Sequence, residues 1–144
     1  MTQVLTNFVA VLGTLLGATL GYVFQRRNAA RSDRQRAALA FSNAITDVIR
    51  SQQDWYHRKR EEQEGLEHRA ARIEGHKIRG VARQSINGLT FHLPDPDLLR
   101  QADGLLRMAS DIHKATSTDD LAIRTETARQ ALRTFIEAAG AKVR

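Results

Sequence analysis

The amino-acid sequence predicts an all-α protein with a single N-terminal transmembrane helix followed by a cytoplasmic antiparallel helical bundle. Three observations support this fold class. The first 25 residues carry no charged side chain, and apolar residues then recur at alternating steps of three and four, which is the helical period. The 144 residues include only two prolines and nine glycines, which leaves little room for a turn-rich β architecture. We therefore divide the chain into a transmembrane anchor at residues 1–25, a basic juxtamembrane segment at 26–37 and a helical bundle at 38–144.

The anchor prediction depends on its length and on the charges that follow it. Residues 4–24 would extend about 31 Å as a helix, close to the roughly 30 Å hydrocarbon thickness of a bilayer. The positive-inside rule places the arginines that follow on the cytoplasmic side, so the protein is predicted to be single-pass in the cell membrane with its N-terminus outside. The basic residues expected at the membrane surface are Arg26, Arg27, Arg31, Arg34 and Arg36.

One face of the predicted anchor carries small or mildly polar residues. Ala10, Gly13, Gly17 and Gly21 lie three or four residues apart, so they share a side of the helix. Close backbone approach at small residues is a main source of helix association in membranes. These four residues are therefore predicted helix-packing positions, and a homo-oligomer is the predicted assembly.

The first helix after the anchor has a regular apolar stripe. No proline or glycine interrupts residues 22–64, so this helix either continues from the anchor or breaks within residues 28–32. A turn is predicted at residues 61–67, which are dense in charge and contain Gly65. The stripe residues are Ala38, Phe41, Ile45, Val48, Gln52 and Trp55.

The second helix is predicted at residues 66–88 and is less regular. Gly75 and Gly80 weaken it by up to about 1 kcal/mol each relative to alanine, unless they permit close packing. Its predicted apolar positions are Ile73, Ile78, Val81, Ile86 and Leu89.

Two more helices follow. Asp95 is a good N-cap and Pro96 suits the first helical position, so the third helix begins there. Ser117 or Thr118 caps the last helix, which closes at Gly140. Short connections favour an antiparallel bundle, although the first helix could also pair with its own copies in a parallel coiled coil. The predicted core positions are Leu98, Ala102, Leu105, Ala109 and Ile112 in the third helix and Leu121, Ala128, Leu132, Phe135 and Ala139 in the fourth.

The net charge of +6 is located in one part of the chain. Residues 26–60 contain nine basic and three acidic side chains, whereas residues 61–144 contain 13 of each. Basic residues beside a membrane attract anionic headgroups at about 1 kcal/mol each. The predicted partners are therefore a bilayer with anionic headgroups, a second copy of the chain and a protein whose identity the sequence does not give. Residues 61–144 carry no net charge, which disfavours nucleic acid as a partner.

The sequence contains no catalytic, cofactor-binding or metal-binding motif that we recognise. Glu64, His68 and His76 share a helix face, but Arg72 lies between the histidines and would oppose a cation, so solvated surface histidines are the preferred interpretation. Trp55 precedes a basic run and is interpreted as a core residue. No cofactor is predicted, and an enzyme is the least favoured class.

The whole chain resembles uncharacterised small bacterial single-pass membrane proteins that have an N-terminal anchor and a cytoplasmic helical bundle. The resemblance is carried by the anchor, by the basic run and apolar stripe that follow it, and by LPDPDLL at residues 93–99. It is architectural and implies no activity. We predict a noncatalytic membrane-anchored interaction or scaffold protein that self-associates through the glycine face. The alternatives are a small pore-forming, holin-like protein and a membrane-tethered nucleic-acid-binding protein that uses residues 26–60.

Overall fold

A computed structural model describes residues 2–61 and 66–143, with side chains described at 18–60 and 69–143. Within these residues the chain is all-helical, which confirms a helical bundle and shows no strand. The elements in chain order are α1 (Thr2–Glu61), α2 (Leu66–His92), α3 (Pro96–Ser110), a short 3₁₀ helix (Ile112–Lys114) and α4 (Thr118–Val143). The predicted turn falls mostly on residues 62–65, outside the described ones.

The predicted membrane anchor is contradicted. In the part of the chain that is described, no helix is both long and apolar enough to cross a membrane. The described apolar stretch starts at Ala18, and Arg26 and Arg27 follow directly after Gln25. The predictions of a single-pass membrane localisation and a transmembrane glycine face are corrected accordingly. Residues 1–17, which make up much of the predicted span, lie outside the residues whose side chains are described.

The chain divides into two compact units, residues 1–33 and 34–144. α1 continues through residues 28–32 as one helix, so the continuous alternative is the one observed. In the first unit, every described side chain from residue 18 to residue 31 is exposed.

The second unit has a core to which all four helices contribute. The rings of Phe41 in α1 and Phe135 in α4 are both fully buried, and their centroids lie 4.7 Å apart. Arg60, near the end of α1, donates to Thr118 at the start of α4 at 3.3 Å, so these two helices run in opposite directions. The buried core residues are Ala37, Phe41, Ala44, Ile45, Val48, Ile49, Tyr56, Ala82, Leu89, Leu93, Leu98, Ala102, Leu105, Leu106, Ala109, Ile112, Leu121, Ala128, Phe135 and Ala139.

The start of α3 is confirmed as predicted. The Asp95 carboxylate accepts hydrogen bonds from the backbone N–H groups of Asp97 at 3.1 Å and Leu98 at 3.0 Å, and Pro96 is the first helical residue. Lys142 Nζ lies 2.6 Å from the same carboxylate, so the end of α4 meets the start of α3. The ammonium group of Lys142, helped by the Leu98 N–H, lowers the pKa of Asp95.

The predicted packing face of α2 is partly wrong. Ile73 and Val81 are 70% and 54% exposed, whereas Gly75, Ala82 and Leu89 are buried. These three positions lie seven residues apart, so they share one face of the helix. Because two of them are small, the helix backbone can approach the core closely, and this orientation turns Ile73 and Val81 outward.

Two helix ends also differ from prediction. α2 continues to His92 rather than ending near residue 88, because Leu89 and Leu93 still contact the core. α4 continues past Gly140 to Val143. Gly140 does not adopt a positive φ, so it is an interior helix residue and not a C-terminal cap.

Leucine substitutions at Gly75 and Gly80 should have opposite effects on stability. A Cβ atom at Gly75 would lie 3.4 Å from Gln52 Nε2 and 3.5 Å from Ser51 Oγ, so a larger side chain forces α1 and α2 apart. Gly75→Leu is expected to lower the free energy of unfolding by about 1–2 kcal/mol.

A Cβ at Gly80 has no such neighbour within 4 Å. Gly80→Leu should therefore raise the free energy by roughly 0.5–1 kcal/mol through helix propensity. Urea denaturation followed by circular dichroism measures both, and equal effects would contradict close packing at Gly75.

Candidate functional site

The predicted site residues are distributed over both units. Arg26, Arg27 and Arg31 are exposed in the first unit, and Arg34 and Arg36 are exposed at the start of the second. No observation tests their role, which stays a prediction. Gly21 is exposed, and a Cβ built on it would have no neighbour within 4 Å. The side chains of Ala10, Gly13 and Gly17 lie outside the described residues.

An exposed apolar strip lies on the first unit. Leu20 is 61% exposed, Phe24 is 68% exposed and Val23 is 40% exposed. Residues three and four apart lie on the same side of a helix, so these three side chains form a continuous surface. Contiguous exposed apolar surface is typical of a binding site.

A groove of about 630 Å³ separates α1 from α2 in the second unit. Its walls carry charges of both signs, with Asp47, Asp54 and Glu74 among Arg50 and Arg58. Because the lining carries charges of both signs, the groove is not expected to favour either an anionic or a cationic ligand.

A smaller recess of about 250 Å³ lies between α2 and α3. Arg79 Nη2 donates a hydrogen bond to His76 Nδ1 at 3.0 Å, which holds the guanidinium beside the recess. None of the described residues that line the recess is a carboxylate, and two are arginines, so its described lining is basic. The lining residues are His76, Arg79, Gly80, Arg83, Leu106 and Ser110.

Trp55 and His113 form a second feature close to this recess. Their rings are stacked, with centroids 3.9 Å apart and planes at 21°. His113 Nδ1 donates to the Ser110 carbonyl at 2.7 Å. Burial lowers the pKa of His113, and the charges of Arg79 and Lys114 add to that effect, so the neutral imidazole is favoured. Trp55 is half-buried, and its ring is covered on one face by His113. Sequence reasoning did not predict the stacking of His113 on Trp55, because Trp55 lies in α1, far from His113 in sequence.

The sequence-derived carboxylate and histidine face does not assemble in the described residues. Glu64 and His68 lie outside them, and His76 is exposed and bonded to Arg79. In residues 18–60 and 69–143, no group of three or more metal-ligating side chains comes together.

A family model described as "KilB plasmid transfer protein" matches residues 35–143. This range covers the second unit almost completely and includes no residue of the first. No curated protein and no solved structure matches the chain.

Proposed function

The chain belongs to the KilB plasmid transfer family, and on this premise we propose that it acts in plasmid transfer as a noncatalytic helical interaction protein that associates with a second copy of itself. The observation that carries the proposal is the exposed apolar strip of Leu20, Val23 and Phe24 on α1.

The strip supports self-association for a physical reason. Burying one large apolar side chain contributes about 1.5–3 kcal/mol, so two copies that cover Leu20 and Phe24 on each other gain several such contributions. An isolated helix is marginally stable in water and gains stability when its apolar side is covered. A second copy brings the same strip, and helices paired along apolar side chains three and four residues apart form a coiled-coil contact.

The ionisable groups of the second unit support a structural role rather than a catalytic one. Hydrogen bonding from Arg133 lowers the pKa of Glu126, and the backbone N–H of Thr116, with Arg124, lowers the pKa of Asp120. These carboxylates lie on helix surfaces or at helix starts, where such partners stabilise the fold. Their pKa shifts are therefore explained without a reaction.

The proposal predicts that charges on the strip weaken the association. Leu20→Glu/Phe24→Glu places two carboxylates on it and is expected to raise the dissociation constant at least tenfold, because each buried charge opposes contact. Sedimentation velocity of the full chain over a concentration series measures this constant.

The matched control is Gln25→Glu/Ala29→Glu, which adds two carboxylates with the same four-residue spacing on another side of α1. This control should associate like the wild-type protein. A wild-type chain that sediments as a monomer at all concentrations would overturn the proposal. Equal weakening by both double variants would show that the strip is not the contact.

A further inference from the structure

Basic residues form a line along α2. Arg69, Arg72, His76, Arg79 and Arg83 follow one another at steps of three, four, three and four, so they share one side of the helix. We call this set the basic stripe. At 1.5 Å per residue it extends about 21 Å. Arg79 is half-buried and the other four side chains are exposed.

The charges of the basic stripe have no acidic partner among the residues whose side chains the structure describes. No residue of the stripe forms an ion pair with any described residue. Five other basic side chains of the second unit do pair with carboxylates, within α3, around the 3₁₀ helix, within α4 and between α3 and α4. Those pairs are Arg100–Asp97, Lys114–Asp111, Arg124–Asp120, Arg133–Glu126 and Lys142–Asp95. The stripe therefore presents a positive potential that no ion pair with a described carboxylate cancels.

The middle of the stripe has the geometry to hold a phosphate group. Arg79 and Arg83 line the recess of about 250 Å³ between α2 and α3, together with Ser110. The bond from Arg79 to His76 positions its guanidinium there in advance. Guanidinium groups bind phosphate oxygens with paired, charge-assisted hydrogen bonds, and a hydroxyl adds another donor.

An aromatic side chain beside the stripe narrows the class of ligand. Asn87 continues the line one turn beyond Arg83, and Phe91 follows Asn87 by a further turn. Phe91 is 82% exposed, which is unusual for a phenylalanine in a folded helix. A base can stack on such a ring while its backbone phosphates contact arginines. Neither a free phosphate nor a lipid headgroup makes use of a stacking surface.

We infer that the basic stripe of α2, with the recess at Arg79 and Arg83 and the ring of Phe91, binds the phosphate backbone of single-stranded nucleic acid. This goes beyond the proposed interaction role and does not depend on it, because the stripe lies in the second unit and the self-association strip lies in the first.

Fluorescence anisotropy of a labelled oligothymidylate, titrated with the full chain at several salt concentrations, tests the inference. Arg72→Gln/Arg83→Gln removes two exposed charges and is expected to weaken binding at least tenfold. The slope of log affinity against log salt should fall in magnitude by about 1.4, since each lost phosphate contact removes about 0.7 for a single strand. Phe91→Ala should weaken binding to the single strand and leave the salt slope unchanged.

Arg124→Gln/Arg133→Gln on α4 is the control, since it makes the same change in net charge on another helix. It should bind within about twofold of the wild-type chain, because these two arginines are already paired with carboxylates. Circular dichroism confirms that each variant is folded. Absence of binding by the wild-type chain, or equal losses in both double variants, would overturn the inference. Stripe-dependent binding to anionic phospholipid vesicles without binding to the oligonucleotide would also overturn it.

Discussion

Phe41→Ala is expected to lower the free energy of unfolding by about 3–5 kcal/mol. The Phe41 ring is fully buried, and it meets the Phe135 ring at a centroid distance of 4.7 Å and an interplanar angle of 60°. Removing it leaves a cavity between α1 and α4 and also removes an aromatic contact that contributes about 0.5–1.5 kcal/mol. Chemical denaturation followed by circular dichroism measures the effect as a lower midpoint with an unchanged slope.

Phe91→Ala is the control for this measurement. Because Phe91 is 82% exposed, its removal should change stability by less than about 0.5 kcal/mol. If Phe41→Ala cost no more than this control, the contact between α1 and α4 would not be part of the stabilising core. Phe135→Ala should cost about as much as Phe41→Ala, since each ring covers the other.

The regular helices of the second unit could be predicted because local and tertiary signals agree. In α3, the Asp95 cap, Pro96 and the stripe of core positions all indicate the same helix, and the structure confirms its start and its buried residues. In α4, Ser117 Oγ accepts from the Asp120 N–H at 3.0 Å, which confirms the predicted cap.

The face of α2 could not be predicted by the same reasoning. Hydrophobicity favoured Ile73 and Val81 as core residues, but close packing at Gly75 and Ala82 determined the orientation. Small residues carry little hydrophobic signal even where they form the contact. A different error concealed the basic stripe: the charges over residues 61–144 sum to zero, and the sum hides the spacing of three and four residues that places the basic residues of α2 on one side.

The membrane prediction failed for a different reason. The first 25 residues are uncharged, and the rule that links such a stretch to a bilayer considers only length and charge. The same apolar side chains also suit helix pairing in water, and hydropathy alone does not separate these two uses. In the described residues, Leu20 and Phe24 lie on a helix that continues directly into arginines.

Gln52→Leu is expected to raise the free energy of unfolding by about 2–3 kcal/mol. Gln52 is fully buried at a core position of α1, where the helical stripe otherwise carries apolar residues. Neither Oε1 nor Nε2 has a hydrogen-bond partner among the described residues. A buried polar group without a partner costs about 1–3 kcal/mol, and leucine fills a similar volume without that cost.

Gln101→Leu on α3 provides the comparison, because Gln101 is exposed and its replacement should change stability by less than about 0.5 kcal/mol.

The close approach at Gly75 explains why Gln52 is so well covered, since a Cβ on Gly75 would lie 3.4 Å from Gln52 Nε2. Gly75→Leu should therefore be less harmful in the Gln52→Ala background, where the amide no longer occupies that space. A destabilised Gln52→Leu variant would show that the amide is hydrogen-bonded in solution and that α1 and α2 need this polar contact to pack.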